Sequence, residues 1–437
     1  MNISDIVKSD LCTGCGVCTS ESTGRLEMQW DENGFLLPVL KSGKWSDTYD
    51  AVKVCPFNPD PQLEVSDEDK LGSQFLAEAQ KFDEKLGRYE NTYIGYSIDY
   101  RTDSSSGGIA TYVFSDLLKR KIVDHLFIVR EFDGSYEYGL YSGEYDIKQT
   151  SKTRYIPVTL EHCFTVIDNL EGTVAISGVA CFLKAIRLKQ FYHPHYKHKI
   201  PFLVGIICGG WKSRFFSDFL AQGAGVSGKY HSQEYRIKDP NSLSSDYSFG
   251  AFDRDENFKT MKMSKVGDMW GTGLFKSNAC DFCSDVTTEL ADISLGDAWL
   301  PEYRSDGMGN SIVITRSRLA ESIIQQGILN QALVIDSVTE DAIIRSQKPS
   351  FLHRQDAINF RIRIRKLKRM MVPRIRDRVL TKISLPYLTV QIQRMRVRKN
   401  SIKHWRRYPF FGKFKEKMSI DLKILALFTR VYHKLRS

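Results

Sequence analysis

The chain runs to 437 residues, 42% hydrophobic and 26% charged, with 62 lysines and arginines against 52 aspartates and glutamates and a formal net charge of +10. That length and apolar content allow several ordinary cores, so its cysteines are not needed as the disulfide framework of a small secreted domain. No secretory leader is read at the start and no apolar run is long enough to cross a bilayer, so a cytoplasmic protein is expected, with peripheral contact at the inner face of the membrane as the closest approach to lipid.

Residues 1–65 read as a small cluster-binding module. Cys12, Cys15 and Cys18 lie in the run Leu-Cys-Thr-Gly-Cys-Gly-Val-Cys that starts at Leu11, and Cys55 of Val54-Cys55-Pro56 completes the set. The C-x-x-C-x-x-C spacing puts three thiolates on a short turn, and Gly14 and Gly16 let the backbone wrap tightly, so a cubane can be gripped from one side. With one remote Cys-Pro pair as the source of the fourth ligand, a single ferredoxin-like 4Fe-4S cluster is expected. Zinc also takes four thiolates, but its knuckles usually pair two C-x-x-C hooks. Pro56, Pro59, Pro61 and the acidic stretch Glu64 to Lys70 end the module, and a charged helical connector is expected over 66–87.

Residues 88–350 alternate apolar strand-like runs, such as Leu126 to Val129 and Ser311 to Thr315, with helical patterns. This predicts an α+β body with an α/β-type core. Near its start, Ser104-Ser105-Ser106-Gly107-Gly108 precedes Ala110, Val113, Phe114, Leu117 and Leu118 at helical spacing. The run therefore reads as the cap of an amphipathic helix, whose free backbone amides favour an anion such as a pyrophosphate.

Four cysteines follow in scattered positions: Cys181 in Gly178-Val179-Ala180-Cys181, Cys208 in Ile206-Ile207-Cys208-Gly209, and the hook Cys280 and Cys283. The first two come after Thr173 to Ser177 and Phe202 to Ile207, which read as buried strands. Both thiols thus belong at strand ends, where the ligands of open sheets gather. By spacing alone, a cluster, a four-thiolate zinc site and unrelated buried cysteines are all open for this set. The odd cysteine, Cys163, reads as a small buried residue.

Other signals are weaker. No G-x-G-x-x-G follows a predicted strand, so a Rossmann domain has no support. Gly205 to Lys212 has Trp211 where a phosphate loop needs its lysine. His193, His195 and His198, beside Lys197 and Lys199, fit a solvated loop better than a metal site. Asp292 and Asp297, which bracket Ile-Ser-Leu, fit turn roles better than acid–base work.

Residues 351–437 hold 25 lysines and arginines against 4 acids, which leaves 37 against 48 for the rest of the chain, an acidic body with a basic tail. Ala357, Phe360, Ile364, Leu367 and Met371 fall at helical spacing, surrounded by Arg361, Arg365, Lys366, Lys368 and Arg369. Ile420, Ile424, Leu427, Val431 and Leu435 form a second stripe. Basic amphipathic helices suit an anionic membrane surface. Nucleic acid attracts such charge as well, but no nucleic-acid motif is present, and docking on the body or on a partner subunit is the third reading.

In order along the chain, Ser104–Thr111, Gly178–Cys181, Ile206–Gly209, Cys280–Asp285 and Ala291–Trp299 resemble the coenzyme F420 hydrogenase/dehydrogenase beta-subunit family, here with a ferredoxin-like N-terminus. The resemblance covers roughly Asp10 to Thr315, in pieces. It implies a flavin-containing iron–sulfur oxidoreductase in which FAD lies between a hydride carrier and two 4Fe-4S clusters. It implies that Cys181, Cys208, Cys280 and Cys283 ligate the second cluster, and that Ser105, Ser106, Gly107, Gly108 and Gly178 contact the flavin. The hydride carrier is expected to be coenzyme F420, NAD(P)H or a pathway intermediate, with a redox protein as a further partner. Proteins of this build also resemble members of bacterial surface-polysaccharide pathways, where the alternative role is a non-catalytic electron-transfer or assembly subunit at the membrane surface. There are two departures. Gly178-Val179-Ala180-Cys181 replaces the common Gly-Thr-Pro-Cys, and Thr153-Arg154-Tyr155 stands where relatives often carry Ser-Lys-Tyr.

Overall fold

The computed structural model describes residues 1–132, 134–143, 146–381 and 385–435. Its centre is an eight-stranded sheet of β1 (Asn91–Ser97), β2 (His125–Phe132), β3 (Ser135–Tyr141), β4 (Val174–Gly178), β5 (Phe202–Ile206), β6 (Ile293–Asp297), β7 (Ser311–Thr315) and β8 (Leu333–Ser337). The order across the sheet is β8-β1-β7-β6-β5-β4-β2-β3. The inner strands β2, β4, β5 and β6 run parallel, and antiparallel strands extend the sheet on both flanks. The helices packed around the sheet and beyond it include α1 (Glu68–Phe75), α2 (Ile109–Lys119), α3 (Ala180–Tyr192), α4 (Phe215–Gly223), α5 (Arg318–Leu329), α6 (Ile358–Leu367), α7 (Leu385–Arg407) and α8 (Phe411–Lys434).

Strand alternation divides the core into two layers. Leu126 and Ile128 of β2, with Val204 of β5, pack against Ile109, Val113 and Leu117 of α2 and Ile323 of α5. Phe127, Ile176 and Leu203 point the other way and meet Phe182, Leu183 and Ile186 of α3. Strands covered on both faces need apolar residues throughout, which is why β4 and β5 read as unbroken apolar runs. The expected α+β fold with an α/β-type core is what forms.

Residues 1–65 lie against the α3 side. Val17 and Val54 enter the same apolar layer as Phe182 and Leu183. The Leu160 amide donates to the Cys15 carbonyl at 2.8 Å, and the Glu161 carboxylate accepts from the Met28 amide at 2.8 Å. Between module and body, the expected helical connector is helical over α1 and then turns into a hairpin, Lys81–Asp83 with Gly87–Tyr89. Turn chemistry explains the change: Asp83 Oδ1 accepts from the amides of Lys85 and Leu86 at 2.7 and 3.0 Å, and Gly87 takes a φ of +74°.

The C-terminal region differs from expectation in its first stripe. Arg361 and Arg365, placed by the sequence reading around the stripe, are buried, whereas Leu367 is 85% exposed. The helix is turned so that Ile358 and Ile362 face the core, and the apolar stems of the two arginines go in with them. Arg361 donates to the carbonyls of Asp281 and His353 and to Gln391, each at 2.7 Å. Further on, α7 and α8 form an antiparallel hairpin, with Trp405, Phe414, Met418 and Tyr432 in one core with Phe219 of α4 and Phe275.

Helix α1 is tied to α3 by Glu68 and Lys184, 3.1 Å apart and both buried. Burial alone would raise the Glu68 carboxyl, but the charges of Lys184 and Arg376 outweigh it and hold its pKa down to about 2. A depressed carboxylate contributes stability above its ordinary range and loses it as pH falls through about 2. Lys184→Met strips one partner from a buried charge and is expected to cost about 3–5 kcal/mol in urea unfolding, most of it regained when Glu68→Gln is added.

Candidate functional site

The carboxyl ends of β4 and β5 stand side by side, with Gly178 opposite Gly205. Three residues beyond each lie Cys181 and Cys208, so both thiols leave the sheet at its carboxyl edge, as expected of strand-end cysteines. Cys280 and Cys283 arrive on a short helical turn, Asn278–Phe282, whose cap Ser277 accepts from the Ala279 amide at 3.3 Å. Burial pushes the Cys283 thiol up to about 12 and the Cys181 thiol well above its usual value, and Cys280 and Cys283 add to the shift at Cys181. Cys208 in turn acts on Cys280. The structure thus gathers all four.

Donors are aimed at these sulfurs. The Gly210 amide donates to Cys208 Sγ at 3.3 Å, the Trp211 amide to Cys280 Sγ at 3.1 Å, and the Arg354 guanidinium to Cys283 Sγ at 3.8 Å. Hydrogen bonds of this kind stabilise thiolate over thiol and tune an attached metal.

The first set converges as well. Burial pushes Cys12, Cys15 and Cys55 up to about 12 and Cys18 well above its usual value, with Cys15, Cys12 and Cys55 all acting on Cys18. The Gly14 amide donates to Cys12 Sγ at 3.3 Å. Gly14 and Gly16 have φ of +76° and +80°, and a Cβ on them would strike the Leu36 carbonyl and the Thr159 hydroxyl, so this turn requires both glycines. The two sets adjoin. Cys55, Cys181 and Cys283 pack on one apolar cluster with Phe57 and Phe282, and the Thr13 hydroxyl reaches Cys181. Cys163 lies apart, fully buried in the α3 layer.

Among the described residues, no three histidine, cysteine, aspartate or glutamate side chains meet closely enough to hold one metal ion. A lone zinc gathers its sulfurs about 2.3 Å from a single point, whereas a cubane takes each thiolate at a separate corner. Cys15, Cys18 and Cys280 are buried and the other five half-buried, and N-H groups reach the sulfurs of Cys12, Cys208, Cys280 and Cys283, a donor set that could hold clusters of this kind.

Beside the second set opens a cavity of about 1010 Å³ at the carboxyl ends of β4, β5 and β6. Its wall includes Ser105, Ser106, Gly108, Gly178 and Cys208, and the first turn of α2 from Ile109 to Thr111. Gly108 caps α2 at φ +78°, as the sequence indicates, and the first amides of a helix have no acceptor within it. The serine hydroxyls are engaged: Ser104 donates to the Tyr100 carbonyl at 2.7 Å, Ser105 accepts from the Thr153 amide at 2.8 Å, and Ser106 donates to the Asn310 carbonyl at 3.0 Å. They shape the loop, whose backbone is partly engaged as well: the Gly107 amide donates to the Ser311 hydroxyl at 3.2 Å and Lys238 donates to the Ser106 carbonyl at 3.1 Å. Gly107 stands behind the wall, where a Cβ would meet the Gly95 carbonyl oxygen at 2.5 Å and the Ser311 amide at 2.9 Å. Gly108 is similarly pressed on the Tyr100 carbonyl, so both glycines are needed by the packing itself.

The cavity is basic and aromatic. Lys152, Arg154, Lys212, Arg354 and Arg394 are on its wall. Two of its acids are already neutralised, Asp297 by Arg236 at 2.5 Å and Asp281 by Lys276 at 2.7 Å, so the wall favours an anion. Lys212 donates to the carbonyls of Met269 and Leu274 at 2.7 and 2.6 Å, and burial pushes its pKa down to about 7. Tyr155 meets Trp270 edge-on at 4.7 Å, a surface suited to a planar ring.

Asp292 and Asp297 sit at opposite ends of β6 and do not act together. Asp292 takes Arg187 at 3.0 Å and the Leu203 amide at 2.9 Å, a structural role. His193 pairs with Glu21 at 2.9 Å. Arg354 and Trp270 were not singled out by the sequence, since each lies far along the chain from the motif it faces, and Lys212, four residues past Cys208, was read only as the end of a segment that fails as a phosphate loop.

The description "Coenzyme F420 hydrogenase/dehydrogenase, beta subunit N-term" matches residues 92–163, and the corresponding C-terminal description matches residues 172–341, together more than half of the chain. A coenzyme F420-dependent sulfite reductase of Methanocaldococcus jannaschii is 20% identical over 352 residues, 77% of this chain and 49% of the relative. The coenzyme F420 hydrogenase subunit beta of Methanococcus voltae is 28% identical over 155 residues, 35% of this chain and 48% of the relative. The chain thus spans about half the length of the curated relatives it matches. Among solved structures, a chain of the F420-reducing NiFe hydrogenase complex from Methanosarcina barkeri superposes with a TM-score of 0.52 at 20% identity, over 68% of this chain and 99% of that one, a likeness of fold.

The partition of the cysteines is checked by metal content. Protein purified without oxygen is expected to hold about eight irons and eight sulfides per chain, as two cubanes require. Cys283→Ser should lower this to about four, and Cys163→Ser should leave it unchanged. Zinc in place of half the iron would rule out the second cluster.

Proposed function

The chain belongs to the coenzyme F420 hydrogenase/dehydrogenase beta-subunit family, and from that premise we propose that it is an iron–sulfur flavoprotein oxidoreductase. In this reading the basic cavity holds FAD, and the eight cysteines hold two 4Fe-4S clusters. FAD exchanges an electron pair with a hydride carrier and single electrons with iron–sulfur centres. The observation that carries the reading is spatial: the second cysteine set forms part of the cavity wall through Cys208, and the first set adjoins it and comes to the surface at the half-buried Cys12 and Cys55.

The chain's own groups have distinct tasks. The first turn of α2, with Lys152 and Arg154 nearby, offers amides and cations to a pyrophosphate. Tyr155 and Trp270 offer an apolar wall to a ring. The amides of Gly210 and Trp211, with Arg354, stabilise negative charge on the second set. The relatives' names support coenzyme F420 as the hydride carrier, with NAD(P)H or a pathway intermediate as the other candidates. Structural likeness to a chain of a multi-subunit hydrogenase supports a redox protein as partner, docking where Cys12 and Cys55 come near the surface.

The alternative, a non-catalytic electron-transfer or assembly subunit of polysaccharide biosynthesis, leaves the cavity of about 1010 Å³ without a task. The two are separated by anaerobic titration of FAD-loaded protein with reduced F420, NADH and NADPH. One donor is expected to bleach the flavin band and then the cluster band, and Cys283→Ser should keep the first step while slowing the second at least about tenfold. Protein that retains both clusters yet binds no FAD would be a carrier.

A further inference from the structure

The second apolar stripe of the C-terminal region stays outside the fold. In α8 the core takes Phe414, Met418, Leu425 and Tyr432, while Ile420, Leu427, Val431 and Leu435 are 68%, 54%, 46% and 66% exposed. With the half-buried Ile424 they succeed one another every three or four residues, one row along a helix about 36 Å long. Soluble monomers rarely leave so long an apolar row in water. The ring contact of Tyr387 with Tyr432, 4.7 Å between centroids, sets the register of the hairpin and brings the exposed Leu385 of α7 to the same end as Val431 and Leu435.

Charge identifies the occupant. Residues 385–435 contain 13 lysines and arginines and 2 acids. Both acids are engaged within the hairpin, Asp421 by Arg396 at 2.9 Å and Glu416 by Lys413 at 2.9 Å. Lys423 lies one turn from both Ile420 and Leu427, and Arg430 one turn from Leu427. These two, and Lys399 and Lys403 on the exposed side of α7, make no ion pair among the described residues. A second copy of the same face would set like charges against each other. Nucleic acid would neutralise the cations but leave the apolar row in water. A surface both apolar and anionic satisfies the two features together, and no helix among the described residues is long and apolar enough to cross a membrane.

We propose that the α7–α8 hairpin seats the protein on an anionic lipid bilayer, with α8 parallel to the surface, its apolar row among the acyl chains and Lys423 and Arg430 on acidic headgroups. The proposal is independent of the clusters and the flavin.

The test is cosedimentation of the full chain with phosphatidylglycerol/phosphatidylcholine vesicles and with pure phosphatidylcholine vesicles, at ~0.1 and ~1 M salt. Binding is expected to the anionic vesicles and to fall at high salt. Leu427→Asp with Val431→Asp, and separately Lys423→Glu with Arg430→Glu, should each weaken it at least about tenfold. All four positions are exposed, so an unchanged far-UV spectrum and thermal midpoint verify the fold of each variant. The proposal is overturned if the full chain ignores anionic vesicles, or if the folded stripe variant binds them as tightly as the parent. Concentration-dependent dimerisation that the stripe variant loses, without vesicle binding by the parent, would assign the face to a second copy instead.

Discussion

Arginines from the C-terminal region hold the loop that runs from Cys280 to Glu289. Arg354 donates to the Asp285 carbonyl at 2.7 Å, Arg361 to the Asp281 carbonyl at 2.7 Å, and Arg376 to the Ser284 carbonyl at 3.0 Å and to both carboxylate oxygens of Glu289 at 2.6 Å. Each guanidinium is buried, and an unpaired charge in that setting would cost several kcal/mol. The planar fork of arginine satisfies carbonyls and carboxylates at once, which a lysine could not do from the same place. The network reaches the other end of the chain too. Arg376 and Arg378 both contact Asp69 on α1, and Arg365 donates to the Ser9 carbonyl at 2.9 Å. The N-terminal module, the hook loop and the C-terminal region are therefore one electrostatic unit.

Local signals were legible in the sequence and remote ones were not. The turn around Cys12, Cys15 and Cys18 could be read because its glycines and thiols are neighbours, and the positive φ of Gly14 and Gly16 bears it out. Cys181 and Cys208 could be placed at strand ends because two-sided burial leaves an unbroken apolar run before each. The cap at Gly108 followed from helical spacing. Arg354 could not be tied to Cys283, because nothing in a basic stretch distinguishes an arginine that turns inward from one that meets water. The same ambiguity put the stripe around Arg361 on the wrong side. Charge usually marks the solvated face of a helix, but here the carbonyls and carboxylates of the hook loop offered those guanidinium groups partners inside.

The chemistry of the cavity follows from its position. Parallel strands end together, so β4, β5 and β6 deliver Gly178, Cys208 and Asp297 to one edge. Other segments that reach this edge add what a sheet does not supply: cations from 212 and 354, aromatic rings from 155 and 270, and the amides of a helix start. Two of the three acids on the wall, Asp297 and Asp281, are paired with cations before any ligand arrives, and the third, Asp268, accepts the amides of Trp270 and Gly271.

The arginine network also bears on the order in which the chain can take shape as it leaves the ribosome. Glu289 and the hook loop are made well before Arg354, Arg361 and Arg376. Until residues 351–378 have emerged, the Glu289 carboxylate and the loop carbonyls have only water as partners, and enclosing them would carry the full desolvation cost. The central sheet has all its strands by Ser337 and can close earlier. In chain order the hook loop and the whole sheet thus precede the arginines that satisfy the loop, so its enclosure waits on residues made after the last strand.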